Sequence, residues 1–217
     1  MKRKSSRRRR AAAAFFSDNR RLFPFVGLYL LGAVIGTAVY VTADEGTAGL
    51  LRALVTQTAV GSGLRGILHA LCGSCFSLLA LLCAQFLLGL WPCGAPFVLL
   101  LPVLQGTATG ISEAALYAEG GRGVLIAAVT VLPSALLSAA LLAMAGAECL
   151  RLGTLLCSTL LAALPARAGD APDSAPGGAL RQPFSLYCLR YALFALGAVG
   201  VGLIDVLLRM ALPSSLK

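Results

Sequence analysis

One histidine, one tryptophan and nine acidic residues are all that this 217-residue chain holds of those types. Charged residues of both signs reach only 12%, about half the share in a soluble domain. So few charges cannot cover a soluble surface of this size, and so little charge with so much apolar content excludes a disordered chain. The lone His69 limits metal and acid–base chemistry. His69, Cys72 and Cys75 share one helical face, but structural zinc usually takes four ligands, and no second cluster is present. Cysteine as a small packed apolar residue is the better reading, and no metal is expected. Motifs for phosphate, dinucleotide or zinc-hydrolase chemistry (G-x-x-x-x-G-K-[ST], G-x-G-x-x-G after a strand, H-E-x-x-H) are missing. Ser62 lies between glycines in a connecting loop, with no acid placed to orient the sole imidazole. No catalytic residue and no cofactor are therefore expected.

Seven cysteines are present, at 72, 75, 83, 93, 149, 157 and 188. Their number is odd, and each lies in or beside an apolar stretch. That pattern favours packing over a disulfide framework.

Apolar sequence is what the chain has in excess. Hydrophobic residues make up 58% and the mean hydropathy is +0.85. Five stretches reach the roughly 20 residues that cross a membrane: Leu22–Thr42, Ile67–Leu90, Pro96–Tyr117, Gly123–Ala147 and Tyr187–Leu208. The first is too long for a signal-peptide core of about 7–15 residues. Leu152–Leu164, with 13 apolar residues, is too short to span comfortably and suits an interfacial or buried helix, although a sixth crossing remains an alternative. The fold class is all-α: a polytopic bundle of five transmembrane helices, six at most. It comprises a basic segment 1–21, a helical domain 22–209 with loops at 43–66 and 148–186, and a short tail 210–217. Tyr40, Trp91, Tyr117 and Tyr187 close or open spans, as an interfacial aromatic belt predicts.

Charge is distributed unevenly. Residues 1–21 carry nine basic residues against Asp18 alone, out of a net charge of +9. Beside an apolar span, such a run reads as a cytoplasmic anchor rather than a nucleic-acid arm, and it can dock on anionic lipid headgroups. With the N-terminus inside, five spans put thirteen basic residues inside and five outside. The loop 43–66 and the C-terminus then face outwards.

Two acids fall inside spans, where a charge is costly and often functional. Asp205 has Arg209 four residues on, the favourable order for a local ion pair. Glu113 has no such partner on its own helix, which leaves a structural and a functional role equally open. Small residues recur at helix-packing spacing: Gly32 with Gly36, Gly106 with Gly110, and Ala198 with Gly202. Packing within the bundle is the simpler use of these faces, and a partner interface is the alternative. Pro102 and Pro133 should kink spans three and four.

The chain resembles the stage II sporulation protein M family, five-span membrane proteins of endospore-forming bacteria. The resemblance rests on Phe25-Val26-Gly27 through Gly32 and Gly36, Gly94-Ala95-Pro96, and Leu104-Gln105-Gly106 with Gly110. It continues through Gly120, Gly121 and Gly123, Val131-Leu132-Pro133, Gly146, Tyr187, Gly197 and Asp205. It runs in order over roughly 22–214. The loop 43–66 is shorter than usual for the family, Ser134 and Ala135 stand where distant relatives have His and Glu, and the Arg-rich start is peculiar to this chain. The resemblance implies a non-enzymatic scaffold in the mother-cell membrane at the septum. Such a scaffold anchors the peptidoglycan-degrading stage II sporulation proteins P and D during engulfment. A small permease or transporter subunit is the alternative, motivated by Glu113 and the two prolines.

Overall fold

A computed structural model describes residues 22–56, 64–91, 94–163 and 177–211. The basic segment 1–21, Ser62 and most of the loop 165–185 lie outside the described residues. All the regular structure described is helical: α1 Phe23–Thr42, α2 Glu45–Thr56, α3 Leu64–Leu90, α4 Ala95–Tyr117, α5 Gly121–Ile126, α6 Leu132–Ala163 and α7 Gly177–Ala211. A π-helical turn, Ala127–Val131, joins α5 to α6. Five segments are long and apolar enough to cross a membrane: Phe23–Thr42, Arg65–Leu90, Pro96–Tyr117, Gly121–Thr159 and Phe184–Ala211. The molecule is thus an all-α bundle with the signature of a multi-pass membrane protein. Its outer face carries large apolar side chains such as Leu30, Phe76, Leu104, Leu136 and Leu196, as expected where the surrounding solvent is hydrocarbon.

Local chemistry explains the helix boundaries. Pro24 and Pro96 stand in the first turns of α1 and α4, where a missing N–H costs nothing. α1 ends because Ala43 is extended. Asp44 then starts α2: its carbonyl accepts from the Ala48 N–H at 2.9 Å, and its carboxylate accepts from the Thr47 hydroxyl at 2.6 Å. That hydroxyl, followed by nearby backbone N–H groups, holds the Asp44 carboxyl below the usual carboxylate range. Between α4 and α5 the chain reverses at Gly120, whose φ of +83° suits glycine best.

Helix packing divides the bundle into a pair and a trio. α1 and α4 form the most extensive contact, α3, α6 and α7 pack on one another, and α4 meets α6 between the groups. A Cβ at Gly32 would overlap the Val103 carbonyl oxygen, and one at Gly36 the Thr107 oxygen. Conversely, a Cβ at Gly106 would overlap the Tyr29 oxygen, and one at Gly110 the Ala33 oxygen. Partner numbers rise together along both helices, so α1 and α4 run parallel, as first and third spans must. Two glycine pairs interlock with backbone on backbone, where van der Waals contact and Cα–H···O approaches replace the missing hydrophobic drive. Tyr29 donates to Thr109 Oγ1 at 3.0 Å across the same seam. These four glycines are therefore occupied within the chain and do not present a free face to a partner.

The trio is held at the end of the bundle where α1 begins, here the near end. Tyr187 and Tyr191 are buried there with Phe86, with ring centroids 4.6–5.2 Å apart. Tyr187 donates to the Phe86 carbonyl at 3.1 Å and Tyr191 to the Ala145 carbonyl at 2.9 Å. Gln85, fully buried, donates to the Leu142 carbonyl at 3.2 Å. Tyr187 is only 3% exposed, so it is a core residue and not the interfacial anchor its position suggests. Trp91, 58% exposed and stacked on Phe97, does lie at the rim.

Two expectations change. Most of the loop 43–66 that is described belongs to α2, because Asp44 is a helix start as much as a turn residue. The loop 148–186 is helical at both ends: α6 continues to Ala163 without becoming a sixth crossing, and α7 starts at Gly177. Ala179–Gln182 are strong helix formers, and the glycines that read as a loop occupy only the helix start. Pro102 lies within an uninterrupted α4. Pro133 follows one residue after the π turn, at whose end the Leu132 N–H reaches back to the Ala127 carbonyl, one residue further than an α bond.

Candidate functional site: a polar vestibule at the far end

Four helices open a cavity of about 340 Å³ between them. It lies at the far end, opposite the start of α1. His69, Ser74 and Ser77 of α3, Gln105, Thr109 and Ser112 of α4, and Ser134 and Ser138 of α6 line it with Asp205 and Arg209 of α7. In each helix these positions repeat at intervals of three to five residues, which puts them on one inward face. The π turn and Pro133 immediately precede Ser134, so the irregular part of the α5–α6 rod shapes one wall.

The electrostatic centre is Asp205, only 3% exposed. Its Oδ2 accepts from Arg209 at 3.0 Å and from the Ser74 hydroxyl at 3.0 Å. An acid inside an apolar span is costly, and the guanidinium neutralises it. Ser74 adds a bond between α3 and α7, reinforced where Gly202 packs on Cys75. Asp205 Oδ1 is buried with no hydrogen-bond partner among the described residues.

The walls are rich in acceptors. Thr109, Ser112, Ser134 and Ser138 each donate their hydroxyl proton to a backbone carbonyl of their own helix, at 2.9–3.1 Å. The oxygens of Ser112, Ser134 and Ser138 keep lone pairs for a guest, whereas Thr109 Oγ1 already accepts from Tyr29. The vestibule thus offers several acceptors around a charge pair that sums to zero, while Asp205 Oδ1 itself is closed off from the cavity. It suits a group that donates hydrogen bonds.

The residues singled out in the sequence meet different fates. Asp205 is at the centre of the site, with Arg209 as foreseen. Gly32, Gly36, Gly106 and Gly110 build the neighbouring seam, and Pro133 adjoins the wall. Glu113 does not line the vestibule; it is half-buried on α4 with no hydrogen bond or ion pair among the described residues. His69 lines the cavity, Cys72 is exposed and Cys75 packs on α7, and no group of three metal-binding side chains occurs among the described residues. Ser74 and the serine stripes of α3 and α6 were missed, as was buried Gln85. Their signal was visible as Ser and Thr at i, i+3 or i+4 within apolar spans: Ser74 with Ser77, Thr109 with Ser112, Ser134 with Ser138. No protein-family model, curated protein or solved structure matches this chain.

Proposed function

We propose that the protein is a non-enzymatic membrane scaffold whose vestibule receives a hydrogen-bond-donating group of a partner. The carrying observation is the cavity of about 340 Å³, lined by serine and threonine hydroxyls around the Asp205–Arg209 pair. On the charge asymmetry of the sequence, that end faces away from the cytoplasm, on the side where wall-degrading enzymes work. The resemblance to the stage II sporulation protein M family adds the partners: P-like and D-like peptidoglycan hydrolases, gathered at the septal membrane during engulfment. The interlocked α1–α4 pair supports the reading by giving the bundle a stiff frame. Co-purification from sporulating cells tests it. Wild-type protein should bring down a P-like or D-like protein, and Ser74→Ala with Asp205→Asn should lose it while still inserting. Absence of both hydrolases from the wild-type extract overturns the reading.

A second reading has its own observation. The cavity reaches inward past Ser74 and Ser138 to the level of Gly202, deep enough for a small solute to enter the span region. As a permease subunit, the chain should pass a small hydrogen-bond-donating solute such as glycerol or urea into proteoliposomes, and Asp205→Asn should abolish the flux. Flux equal to that of empty vesicles removes this reading.

A further inference from the structure

A second cleft lies at the near end, between α6 and α7, well away from the vestibule. It has a volume of about 100 Å³ and is lined by Glu148, Arg151, Leu155, Leu186 and Arg190, among others. Arg190 pairs with Glu148 across the two helices. Arg151 is exposed and has no ion pair among the described residues. The three charges leave the cleft at +1, facing outwards at the edge of an apolar bundle.

Packing fixes the level of this cleft. Phe25, near the start of α1, abuts Gly146, while Gly89, near the end of α3, abuts Cys149 and Tyr187. Leu22 and the exposed Trp91 therefore stand level with about residues 150–151 of α6 and 185–186 of α7, counting about 1.5 Å per residue. Arg190 is about 28 Å along α7 from Arg209 by the same rise, close to the roughly 30 Å of a hydrocarbon core. The two arginines are thus spaced about as far apart as the two headgroup levels of a bilayer. On the same side of α7, Leu186, Leu189, Leu193 and Leu196 are all exposed, and their spacing forms one continuous apolar strip.

We propose that this cleft binds an anionic phospholipid, with the phosphate between Arg151 and Arg190 and an acyl chain along Leu193 and Leu196. Guanidinium groups suit phosphate because their N–H donors match its oxygens in geometry and charge. Glu148 is occupied by Arg190, which leaves no free carboxylate for the ammonium of a zwitterionic headgroup. The net positive charge selects an anionic lipid. The site is separate from the basic segment 1–21 and independent of what the vestibule holds.

The test uses the purified full chain in detergent, reading its thermal midpoint against added phosphatidylglycerol, phosphatidylcholine, phosphatidylethanolamine or inorganic phosphate. Phosphatidylglycerol should raise the midpoint in a saturable way, and the other three should not. Arg151→Gln should keep its own midpoint, since the side chain is exposed, and need about tenfold more phosphatidylglycerol for half the effect, as expected for one lost charge-assisted contact. Glu148→Gln should need less than the wild type, because it removes the competing acid. An equal rise with either zwitterionic lipid overturns the proposal. So does a rise with inorganic phosphate alone, or a phosphatidylglycerol response unchanged in Arg151→Gln, which would assign the effect to the basic N-terminal segment.

Discussion

Gly36 and Gly106 show how much a single hydrogen atom matters in this bundle. Each sits against a carbonyl oxygen of the opposite helix, so no side chain can be added without parting the backbones. Gly36→Leu or Gly106→Leu should destabilise the protein by at least about 1–3 kcal/mol, the usual range for overpacking. The loss should appear as a lower unfolding midpoint in detergent. Gly27→Leu, at a position with open space around it, should leave the midpoint in place and serves as the control. Because the seam is internal, disruption should show in the isolated chain before any effect on a partner. Asp205 makes a second residue-scale case. Asp205→Asn keeps a group near Ser74 but removes the carboxylate charge that pairs with Arg209. Breaking a fully buried pair costs about 3–5 kcal/mol; Arg209 is partly exposed, so about 1–3 kcal/mol is expected here. The double variant with Arg209→Gln should recover part of that loss, and a double-mutant cycle on unfolding midpoints measures it.

Among the elements, α2 carries a dependence on pH. The folded-state pKa of Asp44 is depressed, chiefly by the Thr47 hydroxyl. The stabilisation of α2 by that carboxylate is present above the ordinary carboxylate pKa, and it is lost as the pH falls through the depressed value. Amide exchange at residues 45–48 should therefore accelerate in acid. Asp44→Asn, which still caps, should flatten the acid dependence, whereas Asp44→Ala should exchange quickly at every pH; an identical acid response in Asp44→Asn would refute the assignment. The spans themselves were legible from composition, since length and apolarity identify a membrane helix without tertiary knowledge. α2 and the start of α7 were not. Asp44-Glu45-Gly46 and Gly177-Gly178 mark a turn and a helix start equally well, and only the hydrogen bonds made by the following residues separate the two.

For the whole molecule, five segments are long and apolar enough to cross a membrane, and if each crosses once the two ends of the chain should be reached from opposite sides. Tags at residues 1 and 217 should be cut by protease from opposite faces of sealed vesicles; removal of both from one face would refute five spans. Assembly also decides what could be read of the site. The Asp205–Arg209 pair lies within one helix, so spacing alone revealed it. The bond from Ser74 to Asp205 joins positions 131 residues apart, and the vestibule exists only where four helices meet. Serines that look like tolerated small residues in each span become a polar lining once those spans pack together. Tyr187 shows the reverse: its place beside a span boundary suggested a headgroup anchor, yet the fold turns it inward.

The rod formed by α5, the π turn and α6 runs from Gly121 to Ala163. At about 1.5 Å per residue, it extends some 23 Å beyond Glu148, past the level of Trp91 at the near end. One covalent lever therefore joins that protruding end to Ser134 and Ser138 in the opposite half of the bundle. The π turn beside Pro133, with its wider hydrogen-bonded ring, sets the direction in which that lever leaves the vestibule wall.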